Sequence, residues 1–439
     1  MPEMIDDARQ AGLDALKAIR DGAYANLAVK QVAHTWGLTP IDAAFVTDLV
    51  FGTCRHMGTL DLIIENASGR KLTTLQPGVV DILRLGSEQV LQMRVPPHAA
   101  VSSSVELASQ RIGRRVTGVV NAILRRIARK DWDEWMDELT SGMGQHEALG
   151  VRTCHPAWIV DAYAAVLSED ELEQALEANN LPPTPTLVVR PGLISVEELL
   201  ESGGEPTPFS PWGVIRPGDP AQVPAVRDGR AGVQDEGSQL VASVLANADA
   251  PAGPWLDMCA GPGGKTALLT GLALRDEEEV IAAELHPHRA QLVVEALKGY
   301  GRTPVMVADG RAPAWGAVFS RVLVDAPCTG LGALRRRPEA RWRRQESDLG
   351  QLAGLQKDLL CSALDSVVPG GVVAYVTCSP HLGETAQIIA SVPEAEILDA
   401  PKLLPEVGRA EAESDPRFIQ LWPHRHGTDA MFCAMLRRN

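Results

Sequence analysis

The sequence predicts a multi-domain chain: an all-α N-terminal half, a doubly wound α/β domain, and a small α/β piece bridging them. Three observations predict it. At 439 residues the chain is too long for one ordinary core. Up to about Leu139 its apolar residues recur at spacings of three and four, as in helices. From Val233 onward, short β-rich runs alternate with helical stretches, as in a parallel sheet with crossover helices.

Each part follows from local pattern. "AAFVTDLVFGTCRHMGTLDLII" and "VVDILRLGSEQVLQM" have helical periodicity without strand-like alternation. "VPPHAAVSSSVELASQRI" reads as a Pro-delimited loop followed by a Ser-capped helix. Together they predict a helical domain over residues 1–142. Over 150–232 the stretches "LPPTPTLVVRPG" and "GGEPTPFSPWGVIRPGDPAQVP" are rich in Pro and Gly, yet apolar residues recur between the prolines. A small α/β bridging subdomain fits that better than disorder. In residues 233–439, strands are expected at "PWLDMCA", "EVIAAEL", "TPVMVAD", "RVLVDAP" and "GVVAYVT", with a closing pair at "RFIQLWP" and "AMFCAML".

Composition excludes several classes. Hydrophobic content of 45% and charged content of 22% are those of a globular protein. No stretch is long and apolar enough to span a bilayer, so no membrane partner is expected. The N-terminal "MPEMIDDARQAGLDALKAIR" is acidic and then amphipathic, unlike a signal peptide. Cys54, Cys154, Cys259, Cys328, Cys361, Cys378 and Cys433 stand singly, with no C-x-x-C pair. That spacing argues against a disulfide framework and against a metal site, and predicts a reducing, cytoplasmic setting. The "HPH" and "HRH" histidines (His286, His288, His424, His426) lack ligands at zinc spacing and read as surface residues.

The net charge of −15 is unevenly spread. "QRIGRRVTGVVNAILRRIARK" and "LRRRPEARWRR" are strongly basic, while acids cluster at Asp131 to Glu138, Asp276 to Glu279 and Glu394 to Asp415. Such local basic footprints are compatible with RNA.

The chemistry begins at "LDMCAGPGGKT". A strand ends at Cys259-Ala260, a glycine turn follows (Gly261, Gly263, Gly264), and Lys265 opens a helix. Glycine there permits a tight turn and close approach of a ligand. The spacing is not that of a phosphate loop, and alone it fits a dinucleotide, an S-adenosylmethionine site or a plain turn. The following strands end in Glu284, in Asp309 and in "DAPC", Asp325 to Cys328. Acids closing successive strands are the expected lining of a nucleoside site. Where amino-group methyltransferases carry an aromatic clamp, Cys328 supplies a thiol. A thiol suits attack on a ring carbon, because carbon 5 of a pyrimidine becomes nucleophilic only once a thiolate has added at carbon 6. Cys378, closing the next strand in "AYVTCSP", should face the same cleft. The run "SPHLGETAQIIASV" after it reads as a helix with Ser379 as N-cap, whose dipole would favour a thiolate at Cys378.

"LDMCAGPGGKT", "ADGR", "VDAPCTGLGALRRRPEARWRR", "LQKDLL", "PGGVVAYVTCSP" and the terminal Asp429-Ala-Met-Phe together resemble the Sun/Fmu-type RNA cytosine-5 methyltransferase family. "DLVFGTCRHMGTLD", "LRLGSEQVLQMRVPPHAAV" and "GVVNAILRRIARK" resemble the NusB-like RNA-binding domain of its bacterial members. The resemblance implies a NusB-like domain ahead of a Rossmann-like class I methyltransferase domain. It implies methyl transfer from S-adenosylmethionine to carbon 5 of a cytidine, in small-subunit (16S) ribosomal RNA or an assembly intermediate, through a covalent cysteine–cytosine adduct. Carried over by position, Cys378 becomes the nucleophile and Cys328 the residue assisting release of methylated RNA. Cys259, Ala260, Gly261, Pro262, Gly263, Gly264 and Lys265 would hold the methionine part of the cofactor, Glu284 its ribose and Asp309 its adenine edge. Asp325 would lie between cofactor and cytosine. Arg335, Arg336, Arg337, Arg341, Arg343 and Arg344 would meet phosphates, and Arg125, Arg126, Arg129 and Lys130 of the basic helix would touch RNA directly.

Departures are visible. Gly261 stands where the family usually has Ala, an exchange expected to matter little because the position works through its backbone. Glu284 is one methylene longer than the usual Asp. Thr329 replaces a common Ser, and Ala430-Met431 a frequent Gly-Phe. Alternatives remain open: the DNA enzymes use the Pro-Cys thiol as nucleophile, which would be Cys328. Another RNA (tRNA or large-subunit rRNA), a non-catalytic RNA-binding assembly factor and a nicotinamide-dependent oxidoreductase are the competing functions. The chain is expected to act as a monomer, on an unpaired or extruded base.

Overall fold

The structure, a computed structural model, describes residues 6–301, 303–392 and 395–439. The first five residues of the N-terminal stretch, and Glu394 at the head of one acidic cluster, lie outside the described residues. The chain forms two compact units: one runs to Asp161 and includes Arg336–Arg344, the other comprises Ala162–Arg335 and Gln345–Asn439.

The first unit is helical, with α1 (Asp7–Arg20), α2 (Ala25–Thr35), α3 (Pro40–Ser68), α4 (Pro77–Leu91), α5 (Pro97–Arg111), α6 (Thr117–Ile127), α7 (Trp132–Thr140) and α8 (Gln145–Thr153). Its core gathers around α3, whose Leu49, Leu60, Ile63 and Ile64 are fully buried. Thr39 caps the start of α3 with Pro40 in its first turn, and Gly69, at φ +65°, ends it in the left-handed conformation. The expected Ser cap of α5 is corrected: the helix starts earlier, at Pro97, whose fixed φ already suits a first helical turn. Ser103 and Ser104 lie inside it, donating back to Ala99 O and Ala100 O at 2.9 and 2.7 Å.

The second unit contains two sheets. β1 (Thr186–Val189), β2 (Glu205–Pro206), β3 (Gly213–Ile215) and β4 (Ala231–Val233) pair antiparallel in the order β2-β3-β1-β4. Of residues 150–232, read from sequence as a separate bridging piece, 150–161 cluster with the first unit and 162–232 with the second. The large sheet comprises β5 (Trp255–Asp257), β6 (Val280–Glu284), β7 (Val305–Val307), β8 (Phe319–Asp325), β9 (Val367–Thr377), β10 (Glu396–Leu398), β11 (Glu411–Ala412), β12 (Asp415–Gln420) and β13 (Phe432–Arg437). Its order is β11-β12-β13-β9-β8-β5-β6-β7, with β10 also on β13.

Strands β5 to β9 are parallel, and β13 runs antiparallel to β9. Val322, Val324, Val373, Ala374 and Val376 are all buried, because crossover elements cover both faces of a parallel sheet. The chain moves outward from β5 to β6 and β7, then returns to β5's other side with β8 and β9. The reversal between β5 and β8 is the switch point at which such sheets open a crevice beyond their carboxyl ends.

The helix expected after Cys378 is also corrected. A short 3₁₀ turn, Leu382–Glu384, and a five-residue helix, Ala386–Ala390, replace it. Ser379 Oγ instead accepts from His381 N at 3.2 Å, and Thr385 leaves helical geometry at φ −127°, ψ −106°. No long helix begins beside Cys378, so the dipole argument for its thiolate falls.

Candidate active site

The crevice is built from the carboxyl ends of β5, β6, β7, β8 and β9. β8 and β9 are neighbours in register, with Asp325 opposite Val376. Each strand therefore delivers its cysteine a few residues later to the same place, and Cys328 Sγ and Cys378 Sγ are 3.4 Å apart. The two loops are tied by a 2.8 Å bond from Gly332 N to Cys378 O. The hydrogen bond to Cys378 comes first, then burial and the charges of Glu384 and Asp325, in pushing the Cys328 thiol well above its ordinary range. Either sulfur can donate across this contact.

Lys265, in the first turn of the helix Gly264–Arg275, reaches Asp325 at 2.8 Å. Burial opposes its charge, but Asp325 outweighs burial and raises the lysine pKa, with a further contribution from Cys378.

The glycine turn is shaped by close packing. Gly263 has φ +104°, and a Cβ there would lie 2.9 Å from the Val293 backbone. Gly261 donates its N–H to Glu284 Oε2 at 3.0 Å, while His286 N donates to Oε1 at 3.0 Å. A Cβ on Gly261 would lie 2.4 Å from that Oε2 and 2.8 Å from Arg289 Nε. A methyl at 261 would therefore require the ends of the Glu284 and Arg289 side chains to shift, because the longer Glu284 reaches into the space it would take. Asp309 is held by Arg311 at 2.6 Å, which keeps its carboxyl below the usual range. Cys259 is half-buried, and desolvation together with Asp257, Asp325 and Glu284 pushes its thiol well up.

Two groups escaped sequence reasoning. Asp257 ends β5 fully buried; Thr266 Oγ1 donates to its Oδ2 at 2.6 Å, and its Oδ1 has no partner among the described residues. Burial pushes its carboxyl up to about 7, against the pull of Thr266. Glu384 is fully buried and accepts from Thr329 N at 2.8 Å, from Thr329 Oγ1 and from Gln356 Nε2 at 3.1 Å. Gln356 also donates to Pro327 O at 2.8 Å, so this network clamps the loop that carries Cys328 from both sides. Asp257 stood in the quoted motif and could have been found as one more strand-end acid. Glu384 was hidden by the helical reading of its segment.

The basic run after Cys328 divides. Arg335 is buried in the second unit, donating to Asp235 at 2.7 Å, Asp429 at 3.1 Å and Gly427 O at 2.7 Å. Arg341 and Arg343 belong to the first unit: Arg341 is fully buried and donates to Cys154 O at 2.9 Å. Arg343 donates to Ile19 O and Ala23 O at 2.9 and 2.8 Å, satisfying carbonyls at the end of α1. Phosphate contact by Arg335 and Arg341 is corrected, because both guanidiniums are enclosed and already spent on internal acceptors. Arg336 and Arg337 are exposed, Arg337 stacking on Tyr24 at 5.2 Å, and Arg344 is half-buried. On α6 and just beyond it, Arg125, Arg126 and Arg129 are exposed, whereas Lys130 pairs with Glu138 and lies over Trp135. Arg114 and Arg115, exposed just ahead of α6, extend this basic surface and were not singled out.

A parallel sheet with a glycine turn after its first strand, acids closing the next ones and an antiparallel last strand defines a Rossmann-like nucleoside-cofactor fold, here in a chain that also carries a helical domain. Residues 242–437 match the family model described as 16S rRNA methyltransferase RsmB/F, and residues 6–129 match the NusB family. Over 448 aligned residues the chain is 46% identical to MT1451 of Mycobacterium tuberculosis, which carries a methyltransferase name without a substrate; 99% of this chain and 97% of that one are covered. It is 33% identical to ribosomal RNA small subunit methyltransferase B of Salmonella paratyphi B, over 77% of this chain and 79% of that one. In structure it is similar to PH0851, with a TM-score of 0.81, 23% identity and 99% of both chains covered. The chain belongs to the RsmB/F methyltransferase family.

The cofactor of this family is S-adenosylmethionine, and the residues present fit it. A buried carboxylate at the end of β6 keeps further acceptor capacity for hydroxyl groups, the glycine turn lets backbone approach a ligand, and the following helix presents its N-terminus.

Proposed function

We propose that the protein transfers a methyl group from S-adenosylmethionine to carbon 5 of a cytidine in 16S ribosomal RNA, through a covalent adduct on Cys378. The observation that carries this reading is the pair of thiols 3.4 Å apart at the ends of adjacent strands. The cofactor supplies an electrophilic methyl on a sulfonium. Cys378 Sγ adds as thiolate to carbon 6 of the ring, beside the Cys328 thiol. Carbon 5, now enamine-like, would take the methyl, leaving the cofactor sulfur as a neutral thioether; it would then lose its proton to water, and the freed electron pair would re-form the double bond and expel Cys378 as thiolate. Cys328 assists that release. Asp325, tied to Lys265, lies between cofactor and cytosine, Glu284 takes the ribose, and Asp309 the adenine edge.

Arg125, Arg126 and Arg129 are proposed to meet phosphates, since they are exposed on one basic helix and its end. The ring must be reachable, so the substrate is an unpaired or extruded cytidine.

The test is to mix Cys328→Ala and Cys378→Ala separately with unmodified 16S RNA and methyl-labelled cofactor, then run denaturing gels. RNA and label retained on Cys328→Ala protein alone are expected. Retention on Cys378→Ala instead reverses the two roles. If wild type transfers no label to any ribosomal RNA and neither variant traps RNA, the proposed reaction is wrong.

A further inference from the structure

The amide of Gln234 stands out in the second unit. Gln234 follows β4 directly and is 6% exposed, yet neither Oε1 nor Nε2 has a hydrogen-bond partner among the described residues. Its backbone cannot swing to find one: its N–H donates to Thr186 O at 3.0 Å and its carbonyl accepts from Gln239 Nε2 at 2.9 Å. The next residue, Asp235, caps the following helix through Gly237 N at 3.0 Å and binds Arg335. With both sides fixed, the side chain lies over the glycine turn, and a Cβ on Gly264 would be 3.7 Å from Gln234 Oε1. Gly264 is the first residue of the twelve-residue helix Gly264–Arg275, whose positive end favours a carboxylate.

An enclosed amide with two idle polar atoms is costly unless a ligand completes it. What fits is a group offering an acceptor for Nε2 and a donor for Oε1 side by side at a helix N-terminus. An α-amino acid zwitterion has that pattern, with a carboxylate beside an ammonium.

We infer that Gln234 is a further cofactor-binding residue, which grips the methionyl end of S-adenosylmethionine by donating from Nε2 to its carboxylate and accepting at Oε1 from its ammonium. The inference takes only the identity of the cofactor from the family and uses nothing of the cytosine chemistry. Its test therefore needs no RNA and fails or succeeds independently of the proposed reaction.

The test is calorimetric titration of the full chain, wild type and Gln234→Leu, with two ligands. S-adenosylhomocysteine keeps the amino-acid end; 5′-methylthioadenosine lacks it. Gln234→Leu is expected to weaken S-adenosylhomocysteine about tenfold or more, while 5′-methylthioadenosine changes less than about twofold. Gln234→Glu keeps the volume but sets a negative charge against the carboxylate, and should weaken S-adenosylhomocysteine at least as much, again sparing the truncated ligand. Equal losses for both ligands would mean that Gln234 only packs the turn, and unchanged affinity for both would remove it from the site. Failure of wild type to bind S-adenosylhomocysteine would overturn the inference at its root. Unchanged far-ultraviolet dichroism and melting without ligand exclude misfolding, and Gln234→Glu carries the test if the leucine variant does not fold.

Discussion

Gly261 and Glu284 should behave as one unit. Adding a methyl at 261 places a carbon 2.4 Å from Glu284 Oε2, whereas non-bonded heavy atoms prefer about 3.5 Å, so the carboxylate must retreat by roughly 1 Å. That retreat breaks the 3.0 Å bond from Gly261 N, a hydrogen bond to a charged acceptor worth about 1.5–3 kcal/mol. It also moves the acceptor proposed for the ribose. Gly261→Ala is therefore expected to weaken S-adenosylhomocysteine binding by roughly ten- to a hundredfold. Glu284→Asp alone withdraws the same carboxylate by one methylene and should cost a similar amount. In the double variant the shorter acid leaves room for the methyl, and binding should return to within about fivefold of wild type. Calorimetry on the four proteins closes the cycle, with the two single losses exceeding the double loss by at least ~1.4 kcal/mol. Strictly additive losses, or a Gly261→Ala variant that binds normally, would refute the steric argument.

Other consequences follow from the same contacts. Glu384→Leu would strand Thr329 N–H, its hydroxyl and the Gln356 amide, costing about 3–6 kcal/mol in the melting transition that S-adenosylhomocysteine raises. A shift worth less than about 1 kcal/mol would mean that the clamp on the Cys328 loop is dispensable. Arg335→Met leaves Asp235 and Asp429 buried without their cation, so melting should fall by about 3–5 kcal/mol while the salt dependence of RNA binding stays unchanged. Replacing Arg125, Arg126 and Arg129 together by Ala should do the opposite, sparing the melt and lowering the salt slope by up to about 2. Asp257 keeps its proton up to about pH 7 when folded but loses it near 3.8 when unfolded, so the native state binds more protons between those values. Relative to Asp257→Asn, wild-type stability should therefore fall as pH rises from about 4 to 7, by up to roughly 1.4 kcal/mol per unit, in denaturant titrations at pH 5 and 8. An equal pH dependence in the two proteins across this window would show that Asp257 is ionised in the fold.

Much of this architecture was legible in the sequence because its signals are local. β8 and β9 are runs of β-branched residues buried on both faces, and each ends at the chemical group that matters, Asp325 in one and the residue before Cys378 in the other. β10 and β11, with three and two residues, are too short to give a pattern and exist only through pairing with β13 and β12. "SPHLGETAQIIASV" misled for a related reason. Its composition suits a helix, but the turn at Leu382–Glu384 delivers the Glu384 carboxylate to Thr329, 55 residues earlier, and that long-range contact has no trace in local periodicity.

The arginines show where charge counting stops being informative. "LRRRPEARWRR" looks like a single basic footprint, yet its members serve four different environments. Arg335 neutralises two buried acids, and Arg341 is enclosed against Cys154 O. Arg343 closes the end of α1, while Arg336 and Arg337 are exposed. The division follows from the fold: the chain passes from one compact unit to the other between Arg335 and Arg336, and back again between Arg344 and Gln345. Arg335, Arg341 and Arg343 each meet acceptors of their own unit. On α6, helical spacing does separate the two roles, because Val120, Ile123, Leu124 and Ile127 turn inward and so force Arg125, Arg126 and Arg129 toward solvent. A basic residue on an amphipathic helix can thus be assigned to a surface from sequence, whereas one in an irregular segment cannot. That difference is why the RNA-binding proposal rests on the helix and not on the run beside Cys328.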